Sequence, residues 1–134
     1  MQKSILNNYT NLIESIKDLC KKLNRNPNDI NIVAVSKGHK KETVKKLLDN
    51  DFECFGENRL EEALIKWEAL KNKTTKLHFI GALQSKKVKK VMSFFNVIET
   101  LDTESSAKNI AKYFSEHSKL KDKIKILRRL KNYI

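Results

Sequence analysis

Ile32-Val33-Ala34-Val35-Ser36-Lys37 is an apolar run that ends on an amine, and the turn Gly38-His39-Lys40 follows it. Runs of this length, rich in β-branched residues and bounded by turn residues, read as buried strands. A parallel strand covered on both faces shows such a run without alternation. The residues therefore predict a first strand from Ile30 to Ser36. Lys37 stands at its carboxyl end, where α/β proteins gather their ligands. Lysine is also a common solvated strand terminator, and on this stretch alone the two readings stand side by side.

On the amino side, Ile5, Tyr9, Leu12, Ile13, Ile16, Leu19, Cys20 and Leu23 recur at three- and four-residue steps. That spacing predicts an amphipathic helix over residues 3–23, broken by Asn24-Arg25-Asn26-Pro27-Asn28-Asp29. On the carboxyl side a helix is expected from Glu42 to Leu48 and a strand over Phe52-Glu53-Cys54-Phe55, ending in Gly56-Glu57-Asn58. A helix with Leu60, Leu64, Trp67 and Leu70 on one face comes next. A third strand runs from Lys76 to Ile80, a helix from Ser85 to Phe94, and a fourth strand from Asn96 to Leu101. Asp102 or Thr103 can cap a helix to about Phe114, and a fifth strand starts at Lys123 to Leu127. A helix followed by four βα units and a stub implies a parallel sheet with right-handed crossovers. Two architectures fit: half of an eightfold barrel, or a small open sheet with helices on both faces.

The 134 residues suffice for one domain with a core, and 40% hydrophobic with 33% charged residues is a globular composition, not a disordered one. No apolar run approaches the roughly 18 residues of a membrane span. Met1-Gln2-Lys3-Ser4 does not open a signal-peptide core, so a cytoplasmic protein is expected. Cys20 and Cys54 have no metal-like spacing and read as apolar side chains in a reducing compartment. The net charge is +12, half of it between Lys119 and Lys131. Only four of the 28 basic residues are arginine, the better reader of bases and phosphates, so nucleic-acid binding is not expected. Residues 128–134 read as a basic tail behind a domain spanning 1–127.

Each expected strand ends on polar or turn-forming residues: Ser36-Lys37, then Gly56-Glu57-Asn58, then Gly81 behind His78. Parallel strands bring such ends to one face. An amine there can form an imine with an aldehyde, and the Asn58 amide can hydrogen-bond a ring. His78, flanked by Leu77 and Phe79, reads first as a satisfied core residue and second as a ring partner. The three glycines include no Gly-x-Gly, so no glycine-rich phosphate loop is present.

Ala34-Val35-Ser36-Lys37, Phe55-Gly56-Glu57-Asn58 and His78-Phe79-Ile80-Gly81-x-Leu83-Gln84-Ser85-x-Lys87 together resemble the pyridoxal phosphate homeostasis proteins, which are related in fold to the alanine racemase N-terminal domain. The resemblance covers about residues 5–127. It implies a TIM-type (β/α)8 barrel, of which this chain carries an N-terminal helix and about four βα units. It also implies pyridoxal 5′-phosphate held on Lys37 as a Schiff base, with Asn58 and His78 near the cofactor. Family members bind the cofactor and buffer its supply, and are not known for a committed reaction. Departures are Lys86, where Asn is frequent, and Gly38-His39, where a Thr and a later Pro are common. The half that supplies the phosphate loops and an arginine near the pyridine nitrogen has no counterpart, and Arg128-Arg129-Leu130-Lys131-Asn132-Tyr133-Ile134 reads as a truncation or frameshift. The alternatives are an enzyme of the amino-acid racemase type, which needs a second acid/base such as a tyrosine, and a non-functional fragment. An incomplete barrel leaves open edges, so self-association is expected.

Overall fold

The computed structural model describes residues 4–128. The start of the expected first helix and residues 129–134 of the basic tail lie outside this range. Among the described residues five parallel strands form one sheet: β1 (Ala34–Val35), β2 (Cys54–Glu57), β3 (Lys76–Phe79), β4 (Val97–Leu101) and β5 (Lys125–Arg128). The helices are α1 (Ile5–Lys22), α2 (Lys41–Leu48), α3 (Leu60–Trp67), α4 (Val88–Phe94) and α5 (Glu104–Glu116). The strands lie in the order β1-β2-β3-β4-β5. Chain order equal to spatial order is how a barrel wall is built, whereas a doubly wound sheet reverses direction at its switch point. The half-barrel is therefore the correct alternative.

Strand register sorts the side chains. Ala34, Phe55 and Leu77 are cross-strand partners, and so are Val35, Gly56, His78, Val97 and Lys125 in the neighbouring row. The strand residues with essentially no exposure, Phe55, Glu57, Leu77 and Ile98, all fall on the first face. Helices α2 to α5 cover that face, contributing Leu47, Trp67, Val91 and Ile110 among others. Each such side chain is worth about 1.5–3 kcal/mol when fully buried. The other face, the concave side of a barrel wall, is open.

That open face corrects the expectation for the first strand. Ile32, Val33 and Ala34 are only half-buried and Val35 is 48% exposed. The regular ladder shrinks to two residues because β1 has a partner on one side and a helix layer on one face only. The apolar run is real, but one of its faces is uncovered.

The first helix departs in the same way. Ser4 caps it by accepting from the Leu6 N–H at 3.2 Å, and Lys21 and Lys22 in its last turn suit the helix dipole. Ile5, Leu6 and Tyr9 pack on the core and Cys20 is buried, yet Leu12, Leu19 and Leu23 are exposed. The Tyr9 ring meets Phe52 edge-on at 4.9 Å. Phe52 meets Phe55 at 5.2 Å, and Phe55 meets Trp67 at 4.8 Å. An aromatic row thus ties α1 to α3 through the amino end of β2.

The expected helix from Ser85 divides into a 3-10 turn at Ser85–Lys87 and α4. Thr103 does cap α5, accepting from the Ser106 N–H at 3.2 Å. The fifth strand begins at Lys125, two residues later than expected, and includes Arg128. Among the described residues no helix is long and apolar enough to cross a membrane.

Candidate cofactor site

Lys37 follows the last rung of the β1 ladder, where the Ser36 N–H donates to the Gly56 carbonyl at 3.0 Å. The chain then turns: the His39 N–H donates to the Ser36 carbonyl at 3.1 Å, and Gly38 takes a φ of +73°, a left-handed conformation open to glycine at little cost. Ser36 is buried, and Lys37 follows it in the turn. The chain is exposed there.

Behind Lys37 lies a buried polar cluster. Glu57 has no solvent exposure. Its Oε1 accepts from Ser36 Oγ at 2.7 Å, Lys66 Nζ at 2.9 Å and Trp67 Nε1 at 3.0 Å. Lys66 Nζ also donates to the Ser36 carbonyl at 2.7 Å. Glu57 Oε2 has no partner among the described residues. Glu62, next to Lys66 on α3, accepts from the Gly38 N–H at 3.3 Å. The ends of β1 and β2 are thereby fastened to α3, the helix between β2 and β3.

Two glycines shape the neighbouring wall. A Cβ on Gly56 would meet Ile80 Cδ1 at 3.2 Å and Val33 Cγ1 at 3.3 Å, so this position is the low floor of the open face. A Cβ on Gly81 would lie 2.1 Å from the Asn58 carbonyl oxygen, a distance no side chain tolerates. Gly81 lets the end of β3 pass directly beside Asn58, and the Thr100 hydroxyl donates to its carbonyl. Lys87, the last residue of the third motif, pairs with Glu61 at 2.9 Å and joins the start of α4 to that of α3. That bond holds the exposed Glu61 carboxyl below its ordinary value.

Of the three residues singled out from the sequence, Lys37 and Asn58 follow the carboxyl ends of β1 and β2, and His78 lies within β3. Asn58 is half-buried directly beyond β2. His78 is largely buried, with 12% of its side chain exposed, but lies outside the apolar cluster. Leu77 and Phe79 point to the helices, while His78 points the other way and shares a 2.6 Å hydrogen bond between Nδ1 and Glu99 Oε1. Strands about 4.8 Å apart place His78 roughly 10 Å across the sheet from Val35. The Lys37 amine and the Asn58 carboxamide have no hydrogen-bond or ion-pair partner among the described residues, so both are available to a ligand. Sequence reading missed Lys66, Glu62 and Glu99. For Lys66 a signal existed: Leu60, Ala63 and Trp67 mark the buried face of α3, and position 66 lies on that face.

No family model matches the chain. Among curated relatives, the pyridoxal phosphate homeostasis protein of Aquifex aeolicus is 35% identical over 101 residues, covering 75% of this chain and 44% of the relative. That of Buchnera aphidicola from Acyrthosiphon pisum is 40% identical over 85 residues, 63% of this chain and 42% of the relative. That of Schizosaccharomyces pombe is 42% identical over 85 residues, 62% and 35%. Among solved structures, PipY of Synechococcus elongatus with pyridoxal phosphate bound superimposes with a TM-score of 0.64 at 27% identity, covering 77% of this chain and 49% of that one. The chain thus spans about half the length of the proteins it matches. Sequential parallel strands, the three strand-end motifs and these likenesses agree, and over the half that it spans the chain is similar to the pyridoxal phosphate homeostasis proteins.

Proposed function

We propose that this chain binds pyridoxal 5′-phosphate through a Schiff base on Lys37, and that it serves cytoplasmic homeostasis of that cofactor and not a committed reaction. The observation that carries the reading is the placement of Lys37. It is a partnerless amine just beyond a strand end, and the backbone beside it is fixed by a buried network. When bound, the cofactor supplies an aldehyde for the amine and a ring and phosphate for polar groups to hold. Lys37 binds, Asn58 offers a free amide to the ring, and Glu99 orients His78 through Nδ1 so that its other ring nitrogen faces a ligand.

The residues fit the aldehyde end better than the phosphate end. Gly38 in the turn after β1, Gly56 in β2 and Gly81 beyond β3 are dispersed along the chain and form no glycine-rich loop to cradle a phosphate. These 134 residues should therefore bind more weakly than the longer relatives, by roughly 1.5–3 kcal/mol for each charge-assisted hydrogen bond not made.

The carrier reading is favoured over a racemase by the tyrosines. Tyr9 packs on Phe52, and Tyr113 is buried in α5 against His117. Tyr133 lies outside the described residues. Neither described tyrosine stands at a strand end, where an acid/base opposite the amine would be needed.

Mixing the chain with pyridoxal phosphate, reducing with borohydride and mapping the labelled peptide tests the reading. Label should concentrate on Lys37 and vanish in Lys37→Ala. Even labelling of surface lysines, unchanged in that variant, would overturn it.

A further inference from the structure

Two peptide groups flank Lys37, and one helix holds both. The carbonyl before it, that of Ser36, accepts from Lys66 Nζ at 2.7 Å, and the N–H after it, that of Gly38, donates to Glu62 Oε1 at 3.3 Å. Glu62 and Lys66 are four residues apart on α3 with their charged atoms 3.9 Å from each other, the spacing that puts two side chains on one helical face. Glu57, fully buried, pairs with Lys66 at 2.9 Å and also takes the Ser36 hydroxyl. A buried ion pair is a poor source of stability, since apolar replacements of equal volume are often neutral or better. Here its donors and acceptors converge on the backbone around one residue. We infer that α3 is a clamp on Lys37, with Lys66 and Glu62 as positioning residues and Glu57 as the counter-charge that holds Lys66.

The clamp rests on the reading of Lys37 as the reactive amine. A lysine side chain is long and mobile, so its reach is governed by where its Cα is held. With both flanking peptides fixed, the amine samples a narrow volume. With either released, it samples a wider volume and meets a bound aldehyde less often.

The test uses the 134-residue chain, pyridoxal phosphate and the absorbance of the imine, with borohydride mapping to assign it. Glu62 is 40% exposed, so its variants should fold. Glu62→Gln keeps an oxygen for the Gly38 N–H and should react within about twofold of the parent. Glu62→Ala loses it and should form the Lys37 imine about three- to tenfold less, the worth of one hydrogen bond. Glu57→Gln with Lys66→Met removes both buried charges together and should lower Lys37 labelling about tenfold or more, while labelling of other lysines stays unchanged. Parent-like labelling of Lys37 in Glu62→Ala, or in the folded double variant, overturns the clamp. Should the double variant fail to fold, Glu62→Ala decides alone. Should the parent itself label elsewhere, the reading of Lys37 falls, and the clamp is judged by hydrogen exchange of the Gly38 amide. Protection in the parent and Glu62→Gln but not in Glu62→Ala supports it, and equal exchange in all three overturns it.

Discussion

Lys66 Nζ lies 2.9 Å from Glu57 Oε1, with 7% and 0% of the two side chains exposed. A charge sealed in this way depends on its partner. Lys66→Ala or Glu57→Ala should each cost about 3–5 kcal/mol by leaving the other charge buried and alone. Glu57→Gln combined with Lys66→Met should cost far less than the two single losses added together. Urea unfolding of the three variants, at constant slope, measures this. Additive single and double costs would show that the two groups do not act as a pair.

The glycines should rank. Gly81→Ala drives a methyl into the Asn58 backbone at 2.1 Å and should cost more than about 3 kcal/mol, beyond ordinary overpacking. Gly38→Ala meets no atom within 4 Å but must hold a φ of +73°, at about 1–2 kcal/mol. Gly56→Ala presses only the ends of Ile80 and Val33, which can yield, and should cost about 1 kcal/mol. Thermal unfolding of the three variants gives the order, and Gly81→Ala should also lose Lys37 labelling.

Cys54 sits half-buried on β2, and burial pushes its thiol above the ordinary value of 9.0, with Lys76 opposing more weakly. The folded chain therefore holds this proton more tightly than the unfolded chain does. The resulting stabilisation is complete below pH 9.0 and is lost as pH rises from there through the folded value. At pH 8.5 iodoacetamide should modify Cys54 more slowly in the folded chain than in urea, because the thiolate is the nucleophile. Equal rates, mapped at Cys54, would contradict this.

Val35, 48% exposed on β1, and Leu127, 40% exposed on β5, stand on the two edge strands of the sheet. With the uncovered half-barrel face between them, the chain should form a dimer or a larger species. The basic residues near the carboxyl end oppose association, and salt screens them within about 10 Å at 0.1 M. Sedimentation should show self-association rising with salt. A compact monomer at tens of micromolar and physiological salt would refute it.

The alternation of strands and helices was legible because each element carries its own period and stop signal: Thr103 before α5, Gly81 after β3, the Asn24–Asp29 break after α1. Lys37 and Asn58 could be placed just beyond neighbouring strand ends because parallel strands end together. What could not be read was whether a face is covered. Val35 and Leu12 have the apolar character of buried residues and are exposed, since a period specifies direction and not what lies there. Lys66 was passed over for the converse reason: a lysine on the buried side of a helix becomes intelligible only when Glu57, nine residues earlier, is seen to face it.

Each strand pairs with the next one in the chain: Ala34 with Phe55, Phe55 with Leu77, His78 with Val97, Val97 with Lys125. No rung of the sheet waits for a residue from a distant part of the sequence. The loops to be closed are short and similar, and doubling any of them would add only about 0.6 kcal/mol of closure entropy. A parallel sheet is ordinarily slow to assemble because its pairings are non-local, but here the contact order is as low as that topology allows. Each βα unit can settle on the one before it while later residues are still being synthesised, so the ribosome delivers this wall in the order in which it is built.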